Sequence, residues 1–401
     1  MDLNNNPPKS KAVHTDLNKA RKNERSIRQL KRTLAVLIVL LVGLGIFITY
    51  PYWLPKLEGI FDKPIATIKN DGKTEGGNFP IELESEAIAD MFAVKNNLLV
   101  SDAHELTFYD ENGRERSSFD HDFSNPVTKI SGKYALVFDN GSDGFKLYTK
   151  SGEEYSKTAE NTILTGSVGE DGTVVMITAS EKYASALAAY DDDGNLIYRF
   201  NCTQRIMSAT VKSNGGGCYI CAFSSEDGDI YSQVHEVDFD SEEEKCVSEK
   251  LSCIAIECVR NKAGNISVVG DTMMYVLNSK GEIVSSLEYP DTLSSYSLTE
   301  DGVSLLLSGG TRNVDTLLVA NSDSQAKAAY HEVAVTENVK SMKIYDDRVI
   351  LLTANQVQAY AFSGTLAATA KTEKDYGGFV YFGSGLYMQS RRNIDKILFE
   401  M

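Results

Sequence analysis

Residues 173–200, which read TVVMITASEKYASALAAYDDDGNLIYRF, contain the two features that decide the fold. The first is the apolar, β-branched run Thr173–Ile177, which follows the turn pair Asp171-Gly172. The second is Tyr190-Asp-Asp-Asp-Gly194, an aromatic residue followed by three polar residues and a glycine. A short apolar run bounded by turn residues indicates a buried strand. The second feature indicates a hairpin turn whose glycine adopts positive φ.

Both features recur along the chain. In its general form the hairpin turn is an apolar residue, three mostly polar or small residues, and Gly or Ser. It returns at intervals of 39, 42, 47, 40, 43 and 40 residues, as Tyr109–Gly113, Tyr148–Gly152, Tyr190–Gly194, Val237–Ser241, Leu277–Gly281, Ala320–Ser324 and Tyr360–Gly364. The apolar run has eight copies: Leu98–Val100, Tyr134–Phe138, Thr173–Ile177, Cys218–Phe223, Ile266–Val269, Val303–Leu307, Val349–Leu352 and Leu386–Met388. A period of about 40 residues that holds four short strands is typical of a β-propeller.

The eight apolar runs predict eight blades, with seven blades as the alternative. A β-solenoid would repeat at shorter and more regular intervals. The last unit, from about residue 373, has only three strands, and Phe79–Ser85 can supply its missing outer strand. Strands from both chain ends would then close the ring and leave no open edge. We therefore predict an all-β fold, an eight-bladed propeller over residues 79–401 that is closed by an N-terminal strand and preceded by one transmembrane helix.

The repeat resembles that of the pyrroloquinoline-quinone-type propellers, a superfamily that includes the outer-membrane assembly lipoprotein. The resemblance lies in Phe108–Gly113, Ala189–Gly194 and Tyr275–Gly281, where a turn glycine follows a short segment with an aromatic residue. In that family a tryptophan six residues after the glycine packs between blades; here the residues are Phe119, Phe200 and Leu287. The resemblance implies the fold and argues against quinone binding. The whole layout is also similar to an uncharacterised family of signal-anchored propellers from Gram-positive anaerobes.

Charge divides the chain into parts. Residues 1–32 carry a net charge of +6, residues 33–55 carry none, and the remainder carries −22. An apolar stretch of about 20 residues can cross a membrane as a helix, and basic residues favour the cytoplasmic side. We predict a basic cytoplasmic tail at 1–32, a transmembrane signal anchor at 33–54, a stalk at 55–78 and an extracytoplasmic propeller at 79–401. The protein would be a single-pass protein of the cell membrane.

Two alternatives concern the N-terminal part. A cleaved signal peptide would need small residues just after the apolar run, whereas Ile48-Thr-Tyr-Pro-Tyr-Trp53 is bulky throughout. This favours an uncleaved anchor. The basic tail either sets topology alone or also contacts anionic lipid headgroups or a cytoplasmic partner.

The sequence predicts no catalytic residue, no cofactor-binding residue and no metal ligand, and it does not favour enzymatic activity. His104, His121, His235 and His331 lack neighbours at metal-ligand spacing. Asp191–Asn195 superficially resembles a calcium loop but lacks the terminal glutamate and is interpreted as a turn. The Gly-rich segments Asn214–Gly217 and Ser308–Thr311 are interpreted as hairpin loops, because a phosphate cradle would lie between a strand and a helix.

All six cysteines fall between residues 202 and 258: Cys202, Cys218, Cys221, Cys246, Cys253 and Cys258. Outside the cytoplasm they could form disulfides that brace the fourth and fifth blades, and free buried thiols are the alternative. Cys218 and Cys221 are expected on opposite faces of one strand and are poorly placed to pair with each other.

A net charge of −16 argues against a nucleic-acid partner, which would need a basic surface. The favoured function is a protein-interaction or scaffolding module of the cell envelope. Its protein or peptide partner is expected on the face formed by connections between the second and third strands of the blades: Asp139–Gly144, Ser224–Ile230, Ser308–Val314 and Ser390–Asn393. The alternatives are a propeller that binds or cleaves cell-wall carbohydrate, and a small-ligand sensor.

Overall fold

The structure is a computed structural model that describes residues 67–72, 77–83, 90–241, 244–309, 314–383 and 385–401. Within these residues the chain forms 33 β-strands and one short helix. The helix, α1 (Ser322–Gln325), begins after Asn321, whose side-chain oxygen accepts a hydrogen bond from the backbone N–H of Ser324. The fold is therefore all-β, as the sequence predicts.

The first two strands are β1 (Ile68–Asn70) and β2 (Ile81–Glu82). The others form blades in chain order. Blade 1 is β3–β6 (Asp90–Val94, Asn97–Ser101, Glu105–Asp110, Glu115–Asp120), blade 2 is β7–β10 (Pro126–Ser131, Tyr134–Asp139, Gly144–Thr149, Gly152–Thr158), blade 3 is β11–β14 (Ile163–Val168, Val174–Thr178, Ser185–Tyr190, Leu196–Cys202) and blade 4 is β15–β18 (Arg205–Val211, Gly217–Glu226, Asp229–Asp238, Cys246–Val247).

The second half of the ring continues in the same way. Blade 5 is β19–β22 (Ala255–Arg260, Ile266–Gly270, Met273–Leu277, Ile283–Glu288), blade 6 is β23–β26 (Thr292–Leu298, Gly302–Ser308, Asp315–Asn321, His331–Val335), blade 7 is β27–β30 (Val339–Tyr345, Arg348–Thr353, Gln356–Ala361, Leu366–Lys371) and blade 8 is β31–β33 (Gly378–Phe382, Gly385–Ser390, Asn393–Leu398). Within each blade successive strands are antiparallel neighbours.

The blades close into a ring. The first strand of each blade contacts the first strand of the next, from β3 through β7, β11, β15, β19, β23 and β27 to β31, and β31 contacts β3. These eight strands surround the central channel. The prediction of eight blades is confirmed, and neither seven blades nor a solenoid fits this ring.

The N-terminal closing strand is also confirmed. β2 pairs antiparallel with β33, in the register Ile81↔Ile394 and Glu82↔Asn393, and supplies the outer strand of blade 8. The buried Ile81 packs with Val380, Tyr387 and Ile394 between blades 8 and 1. Strands from the two ends of the folded chain thus complete one sheet.

β1 adds a fifth strand to the sheet of blade 7. It lies within residues 55–78, which the sequence predicts to be a stalk. It runs parallel to β30, the outer strand of blade 7, with Ile68 opposite Ala368. The side chain of Asn70 donates to the carbonyl of Glu400 (3.2 Å) and accepts from its N–H (3.0 Å). The segment before β2 therefore also ties down the C-terminal end of the chain.

Three of the recurring turns, in blades 1, 3 and 5, share a hydrogen-bond pattern, whereas Ala320–Ser324 leads into helix α1. The Asp191 carboxylate accepts from the N–H groups of Asp193 (3.1 Å) and Asn195 (2.7 Å), and Gly194 has φ +79°. Asp110 and Asn278 accept in the same way at the corresponding turns of blades 1 and 5. Asp191–Asn195 is thus a plain turn, as predicted.

The apolar runs are the second strands of the blades and are buried on both faces. In blade 2, Leu136 and Phe138 face blade 3, whereas Ala135 and Val137 face blade 1. Phe119, at the position where the resembling family has tryptophan, stacks on Tyr148 of the next blade at 5.8 Å. Smaller aromatic side chains therefore fill the gap between these blades.

Within the described residues, no helix has the length and apolar character needed to span a membrane. The predicted cytoplasmic tail and anchor, at 1–32 and 33–54, lie outside those residues.

Candidate functional site

The disc has two faces, which differ in their connections. The loop face carries the connections between second and third strands, such as residues 140–143, 179–184 and 227–228. The turn face carries the connections between first and second strands and the hairpin turns at residues 111–114 and 191–195. Three of the predicted partner-binding connections, Asp139–Gly144, Ser224–Ile230 and Ser390–Asn393, join second to third strands on the loop face. Residues 310–313 of the fourth lie outside the described part of the chain.

Blade 4 presents a hairpin that extends above the loop face. Its second and third strands have ten residues each. The first strand is shorter, and its pairing with the second strand reaches only as far as Arg205, opposite Phe223. Beyond that level, Ser224–Glu226 and Asp229–Tyr231 pair only with each other among the described strands. Ile230, near the tip, is 51% exposed. The hairpin thus presents free backbone edges beside an exposed apolar side chain.

A β-bulge places Met207 on the same face. The register of the first two strands of blade 4 shifts between Ile206 and Ser208, so Met207 is the extra residue. A bulge breaks the alternation of side chains and redirects one of them. Met207 is accordingly 39% exposed at the mouth of the channel, while Ile206 is buried. Ile256, the bulge residue of blade 5, lines the channel beside it.

Tyr183 is a third exposed apolar side chain on the loop face and belongs to blade 3. It lies in the connection 179–184 and is 44% exposed. Arg205 donates to the carbonyl of Ala184 (3.4 Å), and the N–H of Ile206 donates to Ser185 Oγ (3.1 Å), so this connection touches the start of blade 4. We call Tyr183, Met207 and Ile230 the apolar patch.

The turn face carries a polar cleft of about 870 Å³ that is lined by residues of blades 2 to 6. At its wall the nearly buried Glu236 carboxylate contacts Lys212 (3.0 Å) and Lys245 (3.2 Å). Lys212 also pairs with Asp238. Burial lowers the pKa of Lys212, but the two carboxylates outweigh it and leave that pKa raised. These charges satisfy one another, so they serve the structure of blade 4.

The central channel contains a second cavity, of about 430 Å³. Its wall includes Lys129 of blade 2, Glu257 of blade 5 and Tyr296 of blade 6. Burial raises the pKa of Glu257, while the hydrogen bond from Tyr296 and the charge of Lys129 act in the opposite direction. Elsewhere in the ring, burial lowers the pKa of Lys343 of blade 7, and Asp90 of blade 1 counteracts this shift. The sequence pattern does not indicate these residues, because they meet only when the ring closes.

The four histidines of the described residues do not form a common site. His104 lies in a loop, and His331 begins β26 and is exposed. His121 is buried and contacts the carbonyl of Asp102 (3.2 Å). His235 lies between Glu244 (2.5 Å) and Gln204 (2.9 Å), a pairing that the sequence spacing did not indicate. In the described part of the chain, no three His, Cys, Asp or Glu side chains are grouped to hold a metal ion.

The six cysteines are free thiols in the structure. Cys218 and Cys221 lie on β16 and point to opposite faces, as expected, since Cys218 packs toward blade 3 and Cys221 toward blade 5. Burial raises the pKa of Cys218 to about 12. Such thiols behave as small apolar residues. Asn214–Gly217 joins the first and second strands of blade 4, which confirms a hairpin loop.

Comparison with known proteins gives a family and a fold. The sequence profile of a family of unknown function, DUF5711, matches residues 79–398. A search of curated proteins found no match to this sequence.

Solved structures match over most of the ring. BamB from Moraxella catarrhalis is 10% identical with a TM-score of 0.55, covering 81% of this chain and 98% of its own. The C-terminal WD40 domain of Sif2 is 8% identical with a TM-score of 0.56, covering 82% of this chain and 100% of its own. AztD from Citrobacter koseri is 7% identical with a TM-score of 0.50, covering 72% of this chain and 87% of its own. These likenesses show that the chain shares its β-propeller fold with solved structures.

Proposed function

Since the chain belongs to DUF5711, a family of unknown function, its surfaces must indicate its role, and we propose that its propeller is a protein-binding module. The observation that carries this proposal is the apolar patch beside the protruding hairpin of blade 4. Exposed apolar side chains that lie together on a rigid scaffold mark interaction sites. A propeller supplies such a scaffold and presents its connections at the faces.

The partner we propose is a protein that places an extended apolar segment across the loop face. The free edges of Ser224–Glu226 and Asp229–Tyr231 can pair with a strand, as in β-augmentation. Met207, Tyr183 and Ile230 would then accept the side chains of that segment. Binding would bury the three side chains that the fold otherwise leaves in water.

The finer part of the proposal concerns location. We propose that residues 33–54 anchor the chain in the cell membrane and that the propeller scaffolds proteins outside the cytoplasm. The support is the charge asymmetry across the uncharged segment. A C-terminal tag that external protease removes from intact wall-stripped cells would agree with it, whereas a protected tag in such cells would contradict it.

Crosslinking tests the binding face. A photoreactive residue at Met207, Tyr183 or Ile230 of the full chain in intact cells should capture one discrete partner band. The matched control is Leu196, which is 43% exposed but lies on the outer strand of blade 3. Met207→Asp in the chain crosslinked from Ile230 should remove the band. Equal capture from Leu196, or a band unchanged by Met207→Asp, would overturn the proposal.

In the described part of the chain, the channel cavity lacks the carboxyl pair that the carbohydrate-cleaving alternative would need there, whereas the turn-face cleft is lined by five carboxylates: Glu170, Glu236, Asp238, Asp240 and Glu300. Glycoside hydrolysis usually needs two carboxyl groups about 5–10 Å apart. Among the described residues that line the channel cavity, Glu257 is the one with a carboxyl group.

A further inference from the structure

We propose that the central channel holds a binding site for a small zwitterion of the α-amino-acid type. In this site the ligand's ammonium group meets Glu257 and its carboxylate meets Lys129. The site lies inside the ring and shares one residue, Met207, with the apolar patch of the loop face.

The charges of the cavity are the first reason. Lys129 and Glu257 come from blades 2 and 5, yet both line the same cavity. The other described lining residues are uncharged. One cation and one anion on different walls of a partly desolvated cavity are complementary to a ligand that carries both charges. A neutral sugar carries no charge that could complement either group.

Unused hydrogen-bonding capacity is the second reason. The hydroxyl of Ser208 lines the cavity and is buried without a hydrogen-bond partner. Tyr296 already donates to Glu257 and so holds the carboxylate in place. Thr165 and Ser167 of blade 3 add further hydroxyl groups to the wall. A ligand carboxylate or ammonium can complete the hydrogen bonding of Ser208.

The size and apolar lining of the cavity set the ligand class. A volume of about 430 Å³ is near the lower end of ligand pockets and suits an amino acid or a dipeptide. Met207, Val211 and Ile256 supply an apolar wall for the ligand's side chain. The site therefore combines two fixed charges with a small apolar surface.

The channel offers matched controls. Lys343 and Asp90 belong to the first strands of blades 7 and 1 and attract each other. Neither residue lines the cavity. Lys343→Met and Asp90→Asn thus change channel charge without touching the proposed site.

The experiment is calorimetric titration of the detergent-solubilised full chain with each free α-amino acid, and with glucose as the neutral comparator. At least one amino acid should bind and raise the Tm at about 10 mM. Glu257→Gln and Lys129→Met should each weaken that binding by about tenfold or more, because each removes a charge-assisted contact. Lys343→Met and Asp90→Asn should leave it within about threefold.

The proposal is overturned if no amino acid binds, if glucose binds as well as any amino acid, or if neither cavity variant weakens binding. A melting curve without ligand checks the fold of each variant. If Lys129→Met does not fold, Lys129→Gln takes its place. The loop-face crosslinking is scored separately, so failure of one proposal leaves the other intact.

Discussion

Glu236 shows how single residues stabilise blade 4. Its carboxylate is nearly buried and is neutralised by Lys212, which is itself 12% exposed in its side chain. Removing one partner of a buried ion pair leaves an uncompensated charge. We expect Lys212→Met to lower the free energy of unfolding by about 2–3 kcal/mol. The loss is smaller than for a buried ion pair with no other neighbour, because Lys245 still contacts Glu236.

Urea denaturation measures this loss. Lys262→Met is the matched control, since Lys262 pairs with Glu300 and Asp301 at an exposed position. Its loss should be much smaller than that of Lys212→Met, because water already screens an exposed ion pair. Equal losses in the two variants would show that the burial of Glu236 has no energetic consequence.

Glu257 gives a prediction on pH. Burial raises its pKa in the folded state above the unfolded value, so the folded chain favours the protonated carboxyl. The stabilising contribution of this group is therefore complete below the unfolded pKa and is lost as the pH rises through the folded pKa. Glu257→Gln should be more stable than the parent chain at about pH 8, by on the order of 1 kcal/mol, and equally stable near pH 4.

Thermal unfolding of both chains across this pH range tests the sign. Asp90→Asn is a control, because it changes a channel carboxylate of blade 1 outside the cavity. The experiment compares the stability of Glu257→Gln with that of the parent chain at each pH. If this difference moved against the variant between pH 4 and pH 8, the raised pKa of Glu257 would be contradicted.

At the scale of elements, β2 gives the next prediction. Ile81 is 6% exposed and fills the space between blades 8 and 1. Truncating a buried isoleucine removes apolar contacts and leaves a cavity. Ile81→Ala should lower the free energy of unfolding by about 2–4 kcal/mol. Ile68→Ala in β1, where the side chain is 37% exposed, should lose about 1 kcal/mol or less.

Denaturant titration of both variants distinguishes the two strands. If the Ile68 variant lost as much free energy of unfolding as the Ile81 variant, β1 would be as important to ring closure as β2.

Local sequence predicted the elements whose structure is set by local forces. The second strands are apolar on both faces, and the hairpin turns pair Asp191 or Asp110 with a glycine, so pattern and turn chemistry sufficed. β1 was missed because three residues of mixed polarity carry no strand pattern, and its partner is 300 residues away. Met207 was missed because a bulge, which no composition signals, redirects it.

At the scale of the whole molecule, the channel site depends on topology. Lys129, Glu257 and Tyr296 belong to three blades that are separated along the chain, and only ring closure brings them to one cavity. No spacing in the sequence records such a meeting. The sequence therefore predicts the number of blades and the face of the loops but not the chemistry of the channel.

Closure itself leads to a prediction about the whole chain. A chain of residues 77–401 keeps β2, whereas a chain of residues 84–401 lacks it and exposes β33 together with the fully buried Tyr387. Phe79, whose ring lies 5.7 Å from that of Tyr387, is lost with it. An exposed edge strand beside apolar side chains promotes aggregation. We expect the longer chain to be a folded monomer and the shorter chain to aggregate or to unfold at lower denaturant concentration.

Size-exclusion chromatography and urea titration compare the two chains. A synthetic peptide of residues 77–86 should bind the shorter chain and restore its stability, because it replaces the missing strand in the same register. A peptide with Ile81→Asp is the control and should not rescue it, since a carboxylate would be buried against Val380 and Ile394. Two chains of equal stability would show that three strands suffice for blade 8 and that the ring is held by its first strands alone.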